Sequence, residues 1–174
     1  MASTATLVSL EEYLHTTYRP DRDYLEGELL ERNMGEQSHG RVQLIIAKIF
    51  DNRRREWNTR TSTELRVQVR PERFRVPDIG VVRRSDPFEN VITKAPFVCI
   101  EILSPSDSLR DIQERVNDYA AMGVENIWAV DPTGRVGYYA SRRGFQQPDE
   151  GVLRIPGTPI EISLAEVFAE LDEG

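Results

Sequence analysis

One acidic residue inside an apolar run limits what this chain can fold into more than any other feature. Glu101 lies within Phe97-Val98-Cys99-Ile100-Glu101-Ile102-Leu103, which Ser104-Pro105-Ser106 ends. The run has the length and composition of a buried strand. An ionised carboxylate there costs several kcal/mol unless a cation or strong donors compensate it. It is either an edge residue facing water, the partner of an arginine, or part of a built site. A second acid, Asp78, follows a proline in Arg75-Val76-Pro77-Asp78-Ile79-Gly80-Val81-Val82. Alone, an Asp after Pro at a strand start can simply end a turn. Two such acids on neighbouring strands can instead enter one site.

Helix signals are strong. Ser9-Leu10-Glu11-Glu12 is a capping box that opens a short helix through about His15. From Glu36 to about Trp57, Val42, Ile45, Ile46, Ile49 and Phe50 recur at three- and four-residue steps and predict a long helix with one core-facing side. Arg53-Arg54-Arg55 near its end is either a solvated face or a phosphate-contacting patch. A third helix runs from about Ser108 to Met122 and is closed by Gly123, and Ser163-Leu164-Ala165-Glu166 caps a fourth.

Strands fill the intervals. Tyr24 to Glu31 reads as a tight hairpin or bulged strand around Gly27. Thr63 to Val69 alternates with period two, Pro71-Glu72-Arg73 makes a turn, and Phe74 to Val82 is predicted as the return strand. Asn126 to Val130 lies beside the Glu101 strand through a crossover helix, so the sheet is mixed. Gly134 to Ser141 pairs back on it, and Val152–Ile155 and Ile160–Ile162 are short outer strands. The loop from Ser85 to Ala95 has no period. The fold class is α/β (α+β), a mixed central sheet flanked by helices, in one domain over 1–174.

Charge and cysteine usage exclude some roles. With 22 Lys+Arg against 29 Asp+Glu, the net charge of −7 disfavours a surface that grips nucleic acid everywhere, so any such grip is local. Lys48 and Lys94 are the only lysines, and arginine binds phosphate but does not shed its proton as a base. No apolar stretch approaches the ~18 residues of a membrane span. The first eight residues lack the pattern of a signal peptide, and Cys99 has no partner, which fits a reducing cytoplasm.

Two carboxylates at adjoining strand ends, with a main-chain carbonyl near Ile102, form an oxygen-only ligand set for a hard divalent cation such as Mg²⁺ or Mn²⁺. Hydrolysis of a phosphodiester needs what such an ion supplies: neutralised phosphoryl charge, an activated water and a stabilised leaving oxygen.

The order of helix, Pro-Asp hairpin, Glu strand and crossover helix resembles the PD-(D/E)XK nuclease superfamily. Pro77-Asp78, Glu101-Ile102-Leu103-Ser104-Pro105-Ser106, Asp111 to Tyr119, Gly123-Val124 and Trp128-Ala129-Val130-Asp131-Pro132 resemble, more narrowly, the Uma-type restriction endonuclease family. The likeness spans nearly the whole chain. It implies a restriction-endonuclease-like fold, an Mg²⁺-dependent endonuclease and DNA as the partner. By analogy with the fold class a homodimer is expected, since a double-strand cut needs two sites.

The usual E-x-K lysine position holds Leu103. In the Uma-type variant the cation comes from the following helix, four residues after an Asp, and here Asp111 is followed at that spacing by Arg115. The resemblance makes Asp78, Glu101 and Arg115 the catalytic set, with Arg115 on the phosphate, and brings in His39 from the first long helix. Asp111 and Arg115 also fit an ordinary surface ion pair, and Tyr119 fits either a core aromatic or a donor to the site. Glu28, in Gly27-Glu28, matches a recurring family pair that could face the cleft. Arginine at 115 also leaves open a nuclease fold that binds nucleic acid or protein without cutting. Hydrolysis of a smaller phosphoester is a third possibility.

Overall fold

The helix signals act as they read. In the computed structural model, which describes residues 6–33 and 36–174, α1 spans Leu10–His15, and the Ser9 hydroxyl accepts the Glu12 N–H at 3.1 Å. Met1 to Ala5, part of the segment weighed above against the signal-peptide pattern, lies outside the described residues. A hairpin follows, β1 (Asp23–Leu25) and β2 (Glu28–Leu30), turning through Glu26 and Gly27 at positive φ. Helix α2 (Gln37–Asn52) buries Val42, Ile45, Ile46 and Phe50. It stops short of Trp57, which folds back to meet Phe50 edge-on at 5.2 Å between ring centroids.

The chain then forms β3 (Thr59–Thr63), β4 (Val67–Arg70), β5 (Arg73–Arg75), β6 (Ile79–Arg83) and β7 (Val98–Ile102). The single strand expected over Phe74–Val82 is two strands in two sheets. Pro77 has no N–H to give a ladder, so pairing breaks there. β5 joins a four-stranded sheet ordered β2-β1-β5-β4, while β6 joins the central sheet. The strand expected at Thr63–Val69 is likewise divided at Glu64, which takes positive φ, and β3 pairs with β6. The loop beyond β6 is tied down at Ile92, whose backbone bonds Arg66 and Gln68.

After β7 come α3 (Leu109–Met122), β8 (Asn126–Asp131), β9 (Val136–Ser141), β10 (Gly144–Gln146), β11 (Val152–Arg154), β12 (Glu161–Ser163) and α4 (Leu164–Glu173). Ser108 caps α3 and Gly123 ends it at φ 105. The central sheet runs β10-β9-β8-β7-β6-β3, with β7 and β8 parallel and every other neighbour antiparallel. It is the expected mixed sheet.

Strand alternation sorts the core into two layers. Val98, Ile100 and Ile102 of β7, with Trp128 and Val130 of β8, pack in the layer of α2 and α4. Cys99 and Ile127 pack in the other, with Ile112, Val116 and Tyr119 of α3. Glu101 shares the parity of Cys99 and so faces α3. At Gly137, in β9, an added Cβ would stand 2.8 and 2.9 Å from the Leu164 methyl groups. Gly137→Ala is therefore expected to lower stability by roughly 1–3 kcal/mol, measured by urea denaturation, because α4 must shift to admit it.

Candidate active site

β6 and β7 are antiparallel, with Ile79 opposite Ile100. Continuing that register sets Asp78 opposite Glu101, at the end of the central sheet. The two acids line one cavity of about 350 Å³ between that sheet end, α3 and the segment after β2.

Asp78 is buried and heavily bonded. The Ile102 N–H donates to its Oδ2 at 2.7 Å, fixing β6 to β7 at this point. His39 Nε2, from α2, lies 3.4 Å from the same oxygen, and Arg32 Nη2 donates to Oδ1 at 2.5 Å. Gln43 donates to the Asp78 carbonyl at 2.8 Å. Burial would raise this carboxyl's pKa, but His39, Arg32 and the Ile102 N–H together hold it below the usual aspartate value. For His39, burial lowers the pKa, and the hydrogen bond and charge of Asp78 outweigh it, leaving the imidazole above its ordinary value.

Glu101 is bonded through one oxygen. Its Oε1 accepts Arg115 Nε at 3.1 Å, Arg115 Nη2 at 2.9 Å and the Tyr119 hydroxyl at 2.5 Å. Oε2 has no hydrogen-bond partner among the described residues. Residues 115 and 119 stand one helical turn apart on α3, above the Glu101 face of the sheet. Burial raises the Glu101 pKa to about 7, and Asp78 adds to it, only partly offset by Arg115 and Tyr119.

This has a consequence for folding. An ordinary glutamate titrates near 4.5, so between that value and about 7 the folded chain holds a proton that the unfolded chain has lost. Stability therefore falls as pH rises through this window, by roughly 3 kcal/mol from Glu101. His39, raised as well, acts in the same direction above its unfolded value. Urea melts at pH 5 and pH 8 are expected to show the weaker fold at pH 8, with the slope reduced in Glu101→Gln.

Arg115 reaches Glu101, and its donors are committed inside the protein. Nη1 pairs with Asp23, and Nη2 also donates to the Val76 carbonyl at 2.9 Å. Every nitrogen of the guanidinium is thus engaged inside the protein, which speaks against the phosphate-binding role read from the resemblance. No Asp111–Arg115 ion pair forms: Asp111 is exposed and lines the cavity, while Arg115 turns inward. Tyr119 is both of the things it could be, a fully buried aromatic and a donor to Glu101. Glu28 does not join the site. It is exposed on β2, whose hairpin contributes Asp23 instead.

The sequence reading missed Asp23, Arg32 and Arg75. Arg75 bonds Asp23 at 3.1 Å and Asp118 at 2.7 Å, and Arg73 bonds Asp118 at 2.8 Å. Arg73 and Arg75 were open to discovery, since two arginines at i and i+2 share one face of a strand. Cys99, two residues before Glu101 on the same face, is fully buried, and burial pushes its thiol well above the usual range.

The donor chemistry suits a hard divalent ion. Asp23, Glu31, Asp78, Glu101, Asp107, Asp111 and Glu114 line the cavity against Arg32, Arg75 and Arg115, seven carboxylates to three guanidiniums and a formal excess of four negative charges. Among the described residues no three His, Cys, Asp or Glu side chains form a ready-made metal cage. Mg²⁺ does not require one, because it is commonly held by one or two carboxylates plus water and substrate oxygens.

Residues 10–163 match the family described as "Uma2: Putative restriction endonuclease". The chain belongs to this family. Comparison with curated proteins gives no match. Among solved structures, the Uma2 chain is similar to one titled as a putative nuclease belonging to DUF820 from Anabaena variabilis ATCC 29413, at 22% identity and a TM-score of 0.80, covering 94% of this chain and 99% of that one. The two share a fold. No described helix of the Uma2 chain is long and apolar enough to cross a membrane.

Proposed function

We propose that this Uma2 chain is an Mg²⁺- or Mn²⁺-dependent endonuclease that hydrolyses DNA phosphodiester bonds. The observation that carries the reading is the opposition of Asp78 and Glu101 across β6 and β7 in one acid-rich cavity. Asp78, Glu101 and the Ile102 carbonyl are the groups that would hold the ion. When bound, it would neutralise phosphoryl charge and make a water nucleophilic.

The protein's own groups have separate tasks. Arg115 and Tyr119 grip Glu101 by Oε1 and so leave Oε2 for the ion. Ile102 N–H and His39 orient Asp78. The cavity's excess negative charge repels a bare phosphate and admits it together with cations, so binding of the backbone depends on the ion. A double-strand cut would need two copies of the chain.

Supercoiled plasmid incubated with the protein is expected to be nicked in Mg²⁺ or Mn²⁺ and untouched in EDTA. Mn²⁺ titration followed by electron paramagnetic resonance should show binding that Asp78→Asn weakens at least tenfold, on the order of one ligand's contribution. No Mn²⁺ binding and an intact plasmid would remove the proposal. Mn²⁺ and duplex binding without nicking would favour a second reading, a nuclease fold that binds nucleic acid without turnover. The commitment of Arg115 to Glu101 and Asp23, at the position where a lysine could exchange a proton, is what speaks for that second reading.

A further inference from the structure

Among the described residues three arginines line the cavity, and in two of them every guanidinium nitrogen has a hydrogen-bond partner. Arg115 donates to Glu101, Asp23 and the Val76 carbonyl. Arg75 donates through Nε to Asp118, through Nη1 to Asp23 and through Nη2 to Glu114. Arg32 differs. Its guanidinium is buried, with the side chain 5% exposed, yet among the described residues its single ion pair is Nη2 on Asp78 Oδ1, and Nη1 is enclosed with no hydrogen-bond partner. Leaving such a donor unmatched is unfavourable, because desolvation is not compensated. Arginine presents a planar fork of five donors, which matches two phosphate oxygens as well as two carboxylate oxygens.

Resting on the nuclease reading above, we propose that Arg32 is the phosphate-binding residue of the site, and that its guanidinium turns from Asp78, held now by Nη2, to present Nη1 and Nη2 to non-bridging oxygens of the DNA backbone. Arg32 lies just past β2, at the wall of the cavity that carries both acids. Among the described residues it is the cavity arginine with a buried guanidinium nitrogen that has no partner. By pairing with Asp78 while no substrate is present, it also occupies an oxygen that a metal ion would use. An ion held at Asp78 would compete with Arg32 for that oxygen, and the freed guanidinium would then be available to the phosphate.

The test uses the full chain, a fluorescein-labelled short duplex in Ca²⁺, fluorescence anisotropy over a salt series, and Mn²⁺ titration. Arg32→Gln is expected to weaken duplex binding about tenfold or more and to reduce the slope of log K against log salt by about one phosphate contact. Its Mn²⁺ affinity should hold or rise, since the competitor on Asp78 is gone. Arg32→Lys should restore the salt slope but not the full affinity. Circular dichroism melts check that both variants fold. Should wild type bind the duplex and Arg32→Gln bind it with unchanged slope and affinity, Arg32 is only the counter-ion of Asp78. A loss of Mn²⁺ affinity in Arg32→Gln also overturns the proposal, because competition predicts the opposite. If wild type neither binds nor nicks DNA, the nuclease reading itself fails, and the assignment of Arg32 goes with it.

Discussion

Glu101→Gln is expected to lower plasmid nicking by about 10³-fold or more while making the protein more stable. Glutamine keeps the size of the side chain and can still accept from Arg115 and Tyr119, so the fold around it persists. What it loses is the negative charge, half of the acid pair on which metal-assisted chemistry would depend. Folding gains from the same loss. Above pH 7 the wild-type chain buries an ionised Glu101 whose pKa has been pushed up to about 7, and the neutral amide avoids that cost, roughly 3 kcal/mol at pH 8. Opposite signs in the two assays separate a functional acid from a structural one. A variant that nicks as well as wild type removes Glu101 from the chemistry, and one that is destabilised at pH 8 removes the account of its burial.

The second large effect is the reverse case. Arg115 is buried between two acids, pairing with Asp23 through Nη1 and Glu101 through Nη2. Arg115→Met leaves Asp23 with Arg75 and the Val76 N–H, and Glu101 with only the Tyr119 hydroxyl. Stripping one partner from a buried ion pair typically costs 3–5 kcal/mol. For a chain of this size that is a fall in melting temperature of roughly 10 °C, read by differential scanning calorimetry. Arg115→Lys should recover part of the loss, because it keeps the charge but its three donors on one nitrogen do not reproduce the four bonds that the arginine fork makes to Glu101, Asp23 and the Val76 carbonyl. A gain of plasmid nicking in Arg115→Lys would identify the arginine as what limits turnover. A melting temperature unchanged in Arg115→Met would show that the inward network is not holding the fold.

The sequence disclosed the helices and the acid strand because their signals are local. Ser9, Ser108 and Ser163 each cap a helix by accepting an N–H three residues on, and Gly123 closes α3. Glu101 was conspicuous because nothing nearby in the chain explains a carboxylate among Val98, Cys99, Ile100 and Ile102. Its partner on α3, Arg115, entered through the family resemblance, which put it on the phosphate and not on Glu101. Strand boundaries were harder. A proline within an apolar run marks an interruption but not that the two halves enter different sheets, and that depends on what each half pairs with. Asp23 and Arg32 were hidden for the same reason. They are ordinary polar residues beside a hairpin, and only the docking of that hairpin against β5 and α3 brings them to Asp78 and Arg115. The family resemblance supplied His39, and the structure places it 3.4 Å from Asp78. It also suggested Glu28, which the alternation of β2 turns to solvent.

The chain's lone thiol turns this architecture into an instrument. Cys99 is sealed beneath α3 on the same side of β7 as Glu101, so a maleimide reagent can reach it only when that helix lifts from the sheet. Labelling rates would thus time the opening of the layer that secures the acid, with no cysteine introduced.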